Sequence, residues 1–159
     1  MSNEMIAIYL RDHSAIAAGG VALAQRAAAN GEGTDFGRCA ESLVSELERH
    51  DEAMLAVLRA IGARPSRLKR AGARLGERAG RLKLNGRVVS GSPLSPVTEA
   101  EGLLAVLGAH LLAWSALERL GDGALPAGVD AGALATSARE SIAGVERHRL
   151  DLLEAAVRG

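Results

Sequence analysis

The chain has 159 residues, a formal net charge of zero and only one tyrosine, one phenylalanine and one tryptophan. This length allows one domain with a buried core, and the alanine- and leucine-rich composition favours helices. The single cysteine, Cys39, excludes an intramolecular disulfide. We find no basic N-terminal signal segment and no apolar run that is long and charge-free enough to span a bilayer, which favours a cytoplasmic protein.

The first predicted helix, helix A, extends from about residue 3 to about residue 29. Its apolar stripe follows helical steps of three and four residues. The members of this stripe are Ile6, Tyr9, His13, Ile16, Gly20, Leu23 and Ala27. The pair Gly19 and Gly20 weakens the helix but lets the backbone of another helix come close.

Helix B follows a turn at residues 30–33, with Thr34 or Asp35 as its predicted N-cap. It extends to about residue 62, because Gly62 and a following proline stop it. Its stripe has the alternating spacing of a heptad seam, which bundle packing requires. That stripe contains Leu43, Leu47, His50, Met54, Val57 and Ile61.

A basic crossover, residues 63–97, connects the two halves of the chain. It contains nine basic residues and one acidic residue, a charge of +8, so the remaining ten basic and eighteen acidic residues carry −8. We predict a short amphipathic helix here, with Leu68, Leu75 and Leu82 packed on the rest of the protein. Its cationic stripe is a candidate anion-binding surface formed by Arg67, Arg70, Arg74, Arg78 and Arg81.

Two interpretations of these arginines are open. They can grip phosphates, but no aromatic residue interleaves them for base stacking, so nucleic acid is not the favoured partner. The balance of +8 against −8 favours ion pairs with the acidic part of the same chain or of a second subunit. We therefore expect a homodimer that is sensitive to salt and that has no membrane partner.

Helices C and D form the second half. Helix C extends from about residue 95 to about residue 120, and helix D closes the chain. Their stripes contain Leu103, Leu107, His110, Trp114 and Leu117 in helix C, and Ile142, Val145, Leu152 and Ala156 in helix D. The triplet Glu-Arg-His occurs at residues 48–50 and again at residues 146–148, which indicates a duplicated helical hairpin.

The predicted fold is therefore all-α: a single-domain antiparallel four-helix bundle with a hairpin at about 3–62, the basic crossover at 63–97 and a second hairpin at about 98–158. This layout resembles the ferritin-like fold. The run from Glu77 to Arg87, followed by Ser92-Pro93-Leu94-Ser95, is similar to the crossover of an uncharacterised group of bacterial ferritin-like proteins. The resemblance implies a fold and brings no activity with it.

Ferritin-like carboxylate proteins hold two metals with a glutamate from each of two helices and a Glu-x-x-His pair from each of the others. This chain departs from that pattern, because Leu47 stands three residues before His50 and Glu146 stands two residues before His148. Glu46, four residues before His50, still lies on the same helical face. We hypothesise a degenerate or single-metal site for Fe, Mn or Zn. Its candidate ligands are Asp12, Glu46, His50, Glu101 and His148.

A structural interpretation of the histidines stands beside this hypothesis. The four histidines lie one per helix on or beside apolar stripes, where a histidine is usually bonded to a carboxylate on a neighbouring helix. Because His110 lies one turn from Trp114, simple core packing is the favoured interpretation of this histidine. The sequence thus predicts a ferritin-like protein of unassigned function, with transition-metal binding inside the bundle and a purely structural role as the two open interpretations of its histidines. The alternative is a non-metal structural or interaction module that uses the basic crossover helix to bind an acidic partner or nucleic acid. The sequence assigns no catalytic residue.

Overall fold

A computed structural model describes residues 3–79, 92–121 and 125–158, with side chains from residue 4 to residue 73 in the first range. Throughout these ranges the regular structure is entirely α-helical, which confirms the predicted all-α class. The helices are α1 (Asn3–Asn30), α2 (Asp35–Ala60), α3 (Arg67–Ala79), α4 (Ser95–Leu120) and α5 (Ala131–Arg158). They correspond to predicted helix A, helix B, the crossover helix, helix C and helix D.

The turn between α1 and α2 depends on a cap and on two glycines. Thr34 is the N-cap of α2: its hydroxyl accepts a hydrogen bond from the Gly37 amide at 3.0 Å and donates to the Gly31 carbonyl at 2.6 Å. A Cβ on Gly37 would overlap the Gly31 carbonyl group. Gly33 has a φ of 82°, which residues with a side chain rarely adopt. The sequence therefore fixes a tight antiparallel hairpin at this point.

The hairpins pack against each other through α1 and α4. Helix α1 contacts α2, α3 and α4, and α5 contacts α4 and α2. Arg26, near the end of α1, pairs with Glu99, near the start of α4, at 3.2 Å, so these helices are antiparallel. Glu101 of α4 lies 3.7 Å from Arg149 of α5, which makes this pair antiparallel too. Helices α2 and α4 consequently point in the same direction.

Glycines allow α1 and α4 to approach closely. A Cβ on Gly20 would lie 2.5 Å from Cγ1 of Val106, and a Cβ on Gly102 would lie 2.9 Å from Cδ2 of Leu23. Such separations are too short for two carbon atoms, so each glycine leaves the space that the facing side chain fills. The predicted close approach at Gly20 is confirmed.

Two apolar clusters form the core. One includes Leu10, Met54, Leu58, Trp114, Leu117 and Leu134. The other includes Leu23, Leu43, Leu47, Leu103, Leu107 and Val145. Along α2, His50 lies between Leu47 of one cluster and Met54 of the other, and along α4, His110 lies between Leu107 and Ala113. Polar groups are thus placed where the two apolar clusters meet.

In the part of α3 whose side chains are described, ion pairs hold the helix to α1 and α2. Leu68 is 84% exposed, so the prediction that it packs on the rest of the protein is wrong. The Arg70 guanidinium donates to both carboxylate oxygens of Asp51, at 2.5 and 2.7 Å, and Lys69 pairs with Asp12. Residues 67–73 can dock in this way because two acids on the neighbouring helices neutralise Lys69 and Arg70. The side chains of Leu75 and Leu82 lie outside the described part.

Helix α4 has 26 residues, and an 18-residue stretch of it has a mean hydropathy of 1.5. By length and composition alone, such a helix could cross a membrane. The prediction that the chain lacks such a run is therefore wrong on these two criteria. The core helix of a soluble protein can have the same length and hydropathy. In α4, 39% of the 18-residue stretch is buried inside the chain. The hydropathy of α4 assigns no location to the protein.

Candidate functional site

Histidines from three helices lie near one another, two of them fully buried and the third, His13, partly buried. His50 of α2 and His110 of α4 are completely buried, and their ring centroids lie 4.8 Å apart. His13 of α1 is close enough that its charge and that of His50 act to lower the pKa of His110. We call His13, His50 and His110 the histidine layer. It lies at the junction of the two apolar clusters, where water is excluded from at least two of the three rings.

His50 has a partner at each ring nitrogen. The indole Nε1–H of Trp114 donates to His50 Nδ1 at 2.6 Å, so Nδ1 carries no proton. Neutral His50 therefore carries its proton on Nε2, which donates to Oε1 of Glu46 at 3.0 Å. Burial lowers the pKa of His50, while the carboxylate of Glu46 acts in the opposite direction. The environment thus fixes both the tautomer and the orientation of this ring.

Glu46 is in turn held by two polar neighbours. Ser137 of α5 donates its hydroxyl to Oε1, and the Arg49 guanidinium donates to Oε2 at 2.6 Å. Burial acts to raise the pKa of Glu46, but the Ser137 hydrogen bond and the charges of Arg49 and His50 outweigh it and leave the pKa below its usual value. Glu46 therefore carries a negative charge at neutral pH next to the buried ring of His50.

His110 has no partner at either nitrogen. Both its Nδ1 and its Nε2 are buried without a hydrogen-bond partner among the described residues, and Nδ1 of His13 is in the same position. Burial, followed by the charges of His50 and His13, lowers the pKa of His110 to about 3. Buried side-chain nitrogens are nearly always hydrogen-bonded, since leaving one unpaired costs about 1–3 kcal/mol. The histidine layer therefore differs from an ordinary protein core, because three of its buried nitrogens lack a hydrogen-bond partner among the described residues.

The remaining predicted metal ligands lie elsewhere. Asp12 is half exposed and pairs with Lys69, and Glu101 is exposed beside Arg149. His148 is partly buried, with its ring centroid 6.4 Å from that of Phe36. Within the described ranges, no three His, Cys, Asp or Glu side chains stand where they could hold one metal ion. Of the five candidates, only Glu46 and His50 are in contact, and the five-residue set stays a prediction.

Sequence reasoning predicted that His13 and His50 share one level of the first hairpin, but it missed the meeting of His110 with His50. The prediction followed because His13 and His50 lie at similar distances on either side of the α1–α2 turn, which places them at one level of the hairpin. For His110 the sequence offered only its place on the stripe of α4. Its position opposite His50 depends on how the two hairpins dock, which no local pattern specifies.

The candidate anion-binding arginines have separate environments. Arg67 is exposed, whereas Arg70 is mostly buried and also donates to the carbonyl and hydroxyl oxygens of Ser14, at 3.1 and 2.6 Å. The hydrogen bond to Asp51 is the largest cause of the raised pKa of Arg70. The side chains of Arg74, Arg78 and Arg81 lie outside the described part. Arg70 is thus committed to contacts inside the chain.

Comparison with protein-family models, with curated proteins and with solved structures found no match to this chain. The ferritin-like resemblance therefore stays a prediction from the sequence, and the functional argument rests on the geometry of the histidine layer.

Proposed function

We propose that this chain is a ferritin-like four-helix bundle with one crossover that binds a transition metal ion in its interior. The helix contacts support this topology: α1 lies beside α2 and α4, α5 lies beside the same two helices, and α2 runs parallel to α4. Parallel second and third long helices are what a long crossover between two hairpins produces. Helix α3, between them in sequence, belongs to that crossover.

The observation that carries the functional proposal is the set of imidazole nitrogens in the histidine layer. Neutral imidazole is a common ligand of zinc, copper, iron and nickel, and an ionised carboxylate in contact with it strengthens such binding. Here Glu46 provides the carboxylate and His50 the imidazole, and the layer holds buried nitrogens that no described residue satisfies. This contact between an ionised carboxylate and a buried imidazole, beside further unpaired imidazole nitrogens, is what supports the proposal.

The same contacts define what the residues would do. Glu46 stays ionised and orients the ring of His50, while Ser137 and Arg49 keep Glu46 in place. The apolar clusters on both sides exclude water from the rings of His50 and His110. The proposal extends to binding alone, since we identify no nucleophile or general acid that would define a reaction.

Metal content of untagged protein, purified without chelator and then titrated with Fe(II), Mn(II) and Zn(II), tests this function. We expect about one equivalent of metal per chain, lost in a His50→Ala variant that still shows the helical circular dichroism of the wild type. Protein that binds no metal above background, or a variant that binds as much as the wild type, would overturn the proposal.

We also propose that the protein is a cytoplasmic homodimer and that the basic crossover serves this assembly and not an external polyanion. The pairing of Lys69 and Arg70 with Asp12 and Asp51 supports the second part of this proposal, because these two cations of α3 meet acids of the same chain and not an external polyanion. Sedimentation across a salt series tests the assembly: a dimer that weakens with salt is expected, and a salt-independent monomer would contradict it.

A further inference from the structure

We infer that the C-terminal half of α5 is a contact surface of the homodimer, where it pairs antiparallel with α5 of a second copy of this chain. This inference rests on the proposed homodimer and adds to it a surface outside the basic crossover. The surface is an exposed apolar stripe, which we call the α5 seam. Its members are Ala143, Leu150, Leu153 and Val157.

The C-terminal half of α5 is apolar on two sides. Its inner side is covered, since Val145 is fully buried and Leu152 packs against the core. The α5 seam is not covered by the described part of the chain: Leu150 is 51% exposed, Leu153 37% and Val157 76%. A surface helix normally carries one apolar stripe, and apolar side chains that adjoin on a surface mark an interaction site more often than single ones do. This half of α5 thus offers its second stripe to another molecule.

The spacing of the α5 seam predicts that its partner is a helix. Ala143, Leu150 and Val157 stand seven residues apart, and Leu153 lies between two of them at the complementary heptad position. A repeat of seven residues keeps an apolar stripe against a second helix along its whole length. Over residues 143–157 this contact is about 21 Å long. Such a contact is at the small end of specific interfaces, so we expect a dimer that dissociates readily.

Charges beside the α5 seam indicate that the partner helix is α5 of a second copy. Arg147 and Glu154 lie on the same flank of the seam, seven residues apart and opposite in charge. A two-fold axis near residue 151 would bring Arg147 of each chain to Glu154 of the partner subunit, so that two ion pairs form. The same arrangement would pack Leu150 against Leu153 of the partner subunit. The flank is therefore complementary to itself.

The flanking groups are available for this pairing. Arg147 is exposed and takes part in no ion pair among the described residues, and Glu154 is half exposed and pairs with Arg158 of its own helix. A surface pair of that kind contributes little and can be shared. On the opposite flank, Arg149 is mostly buried and donates to Glu146 at 2.6 Å. Since the available cation is Arg147, the antiparallel arrangement, in which its flank meets itself, is favoured.

The test is sedimentation equilibrium of the full chain with wild type, Leu150→Glu and Leu112→Glu. Leu150→Glu places two carboxylates in the centre of the contact, so we expect the Kd of the dimer to increase about a hundredfold or more. Leu112 of α4 is 68% exposed and lies outside the α5 seam, so Leu112→Glu is the matched control and should dimerise like the wild type. Both positions are exposed, where substitutions affect folding little, and circular dichroism of each variant verifies this.

Charge reversal tests the direction of the two helices. Arg147→Glu and Glu154→Arg are each expected to increase Kd about tenfold at low salt, because two like-charge contacts replace two ion pairs. The double variant carries both changes and forms the same ion pairs with their signs exchanged, so its Kd should return to that of the wild type. In a parallel pairing Arg147 and Glu154 do not meet, and the double variant would not recover.

Leu150→Glu that dimerises like the wild type, or Leu112→Glu that loses the dimer as fully, would overturn this inference and leave the proposed homodimer standing. A double variant as weak as the single charge reversals would overturn the antiparallel contact in the same way. Wild-type protein that is monomeric at every salt concentration would overturn both the homodimer and its contact surface, and would leave the α5 seam to a different protein.

Discussion

Replacing His110 with leucine is expected to stabilise the metal-free protein at neutral pH, although most changes in a core destabilise. The wild-type ring is fully buried, and neither of its nitrogens has a hydrogen-bond partner among the described residues. Each buried polar group of this kind costs about 1–3 kcal/mol, whereas a hydrophobic replacement of similar volume usually costs less than about 1.5 kcal/mol in repacking. We therefore expect the free energy of unfolding of His110→Leu to exceed that of the wild type by about 1–2 kcal/mol, from these two ranges.

The same variant should also be less sensitive to acid. The pKa of His110 is lowered from 6.5 to about 3 in the folded chain. Below the pKa that His110 has in the unfolded chain, the unfolded chain takes up a proton that the folded chain does not. The free energy of unfolding is therefore undiminished above that pKa and falls as the pH decreases towards 3. Between about pH 8 and about pH 5, this linkage removes about 2 kcal/mol from the wild type.

His13 and His50 contribute in the same direction, because burial lowers their pKa values as well. His13 and His50 remain in His110→Leu, so the stability of the variant still decreases in acid. The decrease is smaller than in the wild type by the contribution of His110. The assay is urea unfolding in chelator at several pH values, followed by circular dichroism. A variant that is less stable than the wild type at neutral pH and loses as much stability in acid would refute this reasoning.

Three further predictions concern glycines and the docking of α3. Gly37→Ala is expected to destabilise the protein by about 2 kcal/mol or more, because the new methyl group would overlap the Gly31 carbonyl; urea unfolding measures the loss. Gly144→Ala, in an open position within α5, is expected to add about 0.5–1 kcal/mol in the same assay, so an equal effect of the two changes would contradict the geometry. Asp51→Asn leaves a mostly buried guanidinium at Arg70 without its counter-ion and should cost about 2–3 kcal/mol. Amide hydrogen exchange should then accelerate in residues 67–73, and unchanged exchange there would show that the pair does not hold α3.

Local sequence patterns accounted for the helices and their ends. Steps of three and four residues predicted the five helices, and the choice of Thr34 or Asp35 as N-cap predicted the start of α2. The Gly19–Gly20 pair indicated a close contact without identifying Val106 as the partner. For Leu68 the local pattern was misleading. An apolar residue at a helical spacing suggested burial, yet acidic residues of α1 and α2 bind the opposite side of α3 and leave Leu68 exposed.

For the candidate site, the sequence identified the contact between Glu46 and His50, because residues four apart on one helix share a face. It did not identify the other partners of the site. Trp114, Ser137 and His110 come from helices that are distant in sequence, and their distances to α2 are set by how the two hairpins pack. Their roles could not be inferred from spacing, because spacing constrains only residues on the same helix.

The sequence by itself determined that this protein is helical, where its helices cap and turn, and which faces are apolar, since these properties depend on local propensity and period. Tertiary structure decided that His110 meets His50, while His148 and Glu101 have other neighbours. It also decided that two imidazoles remain with unsatisfied nitrogens. The physical reason is that satisfaction of a buried polar group depends on atoms from other helices, which only the packed fold brings within hydrogen-bonding distance.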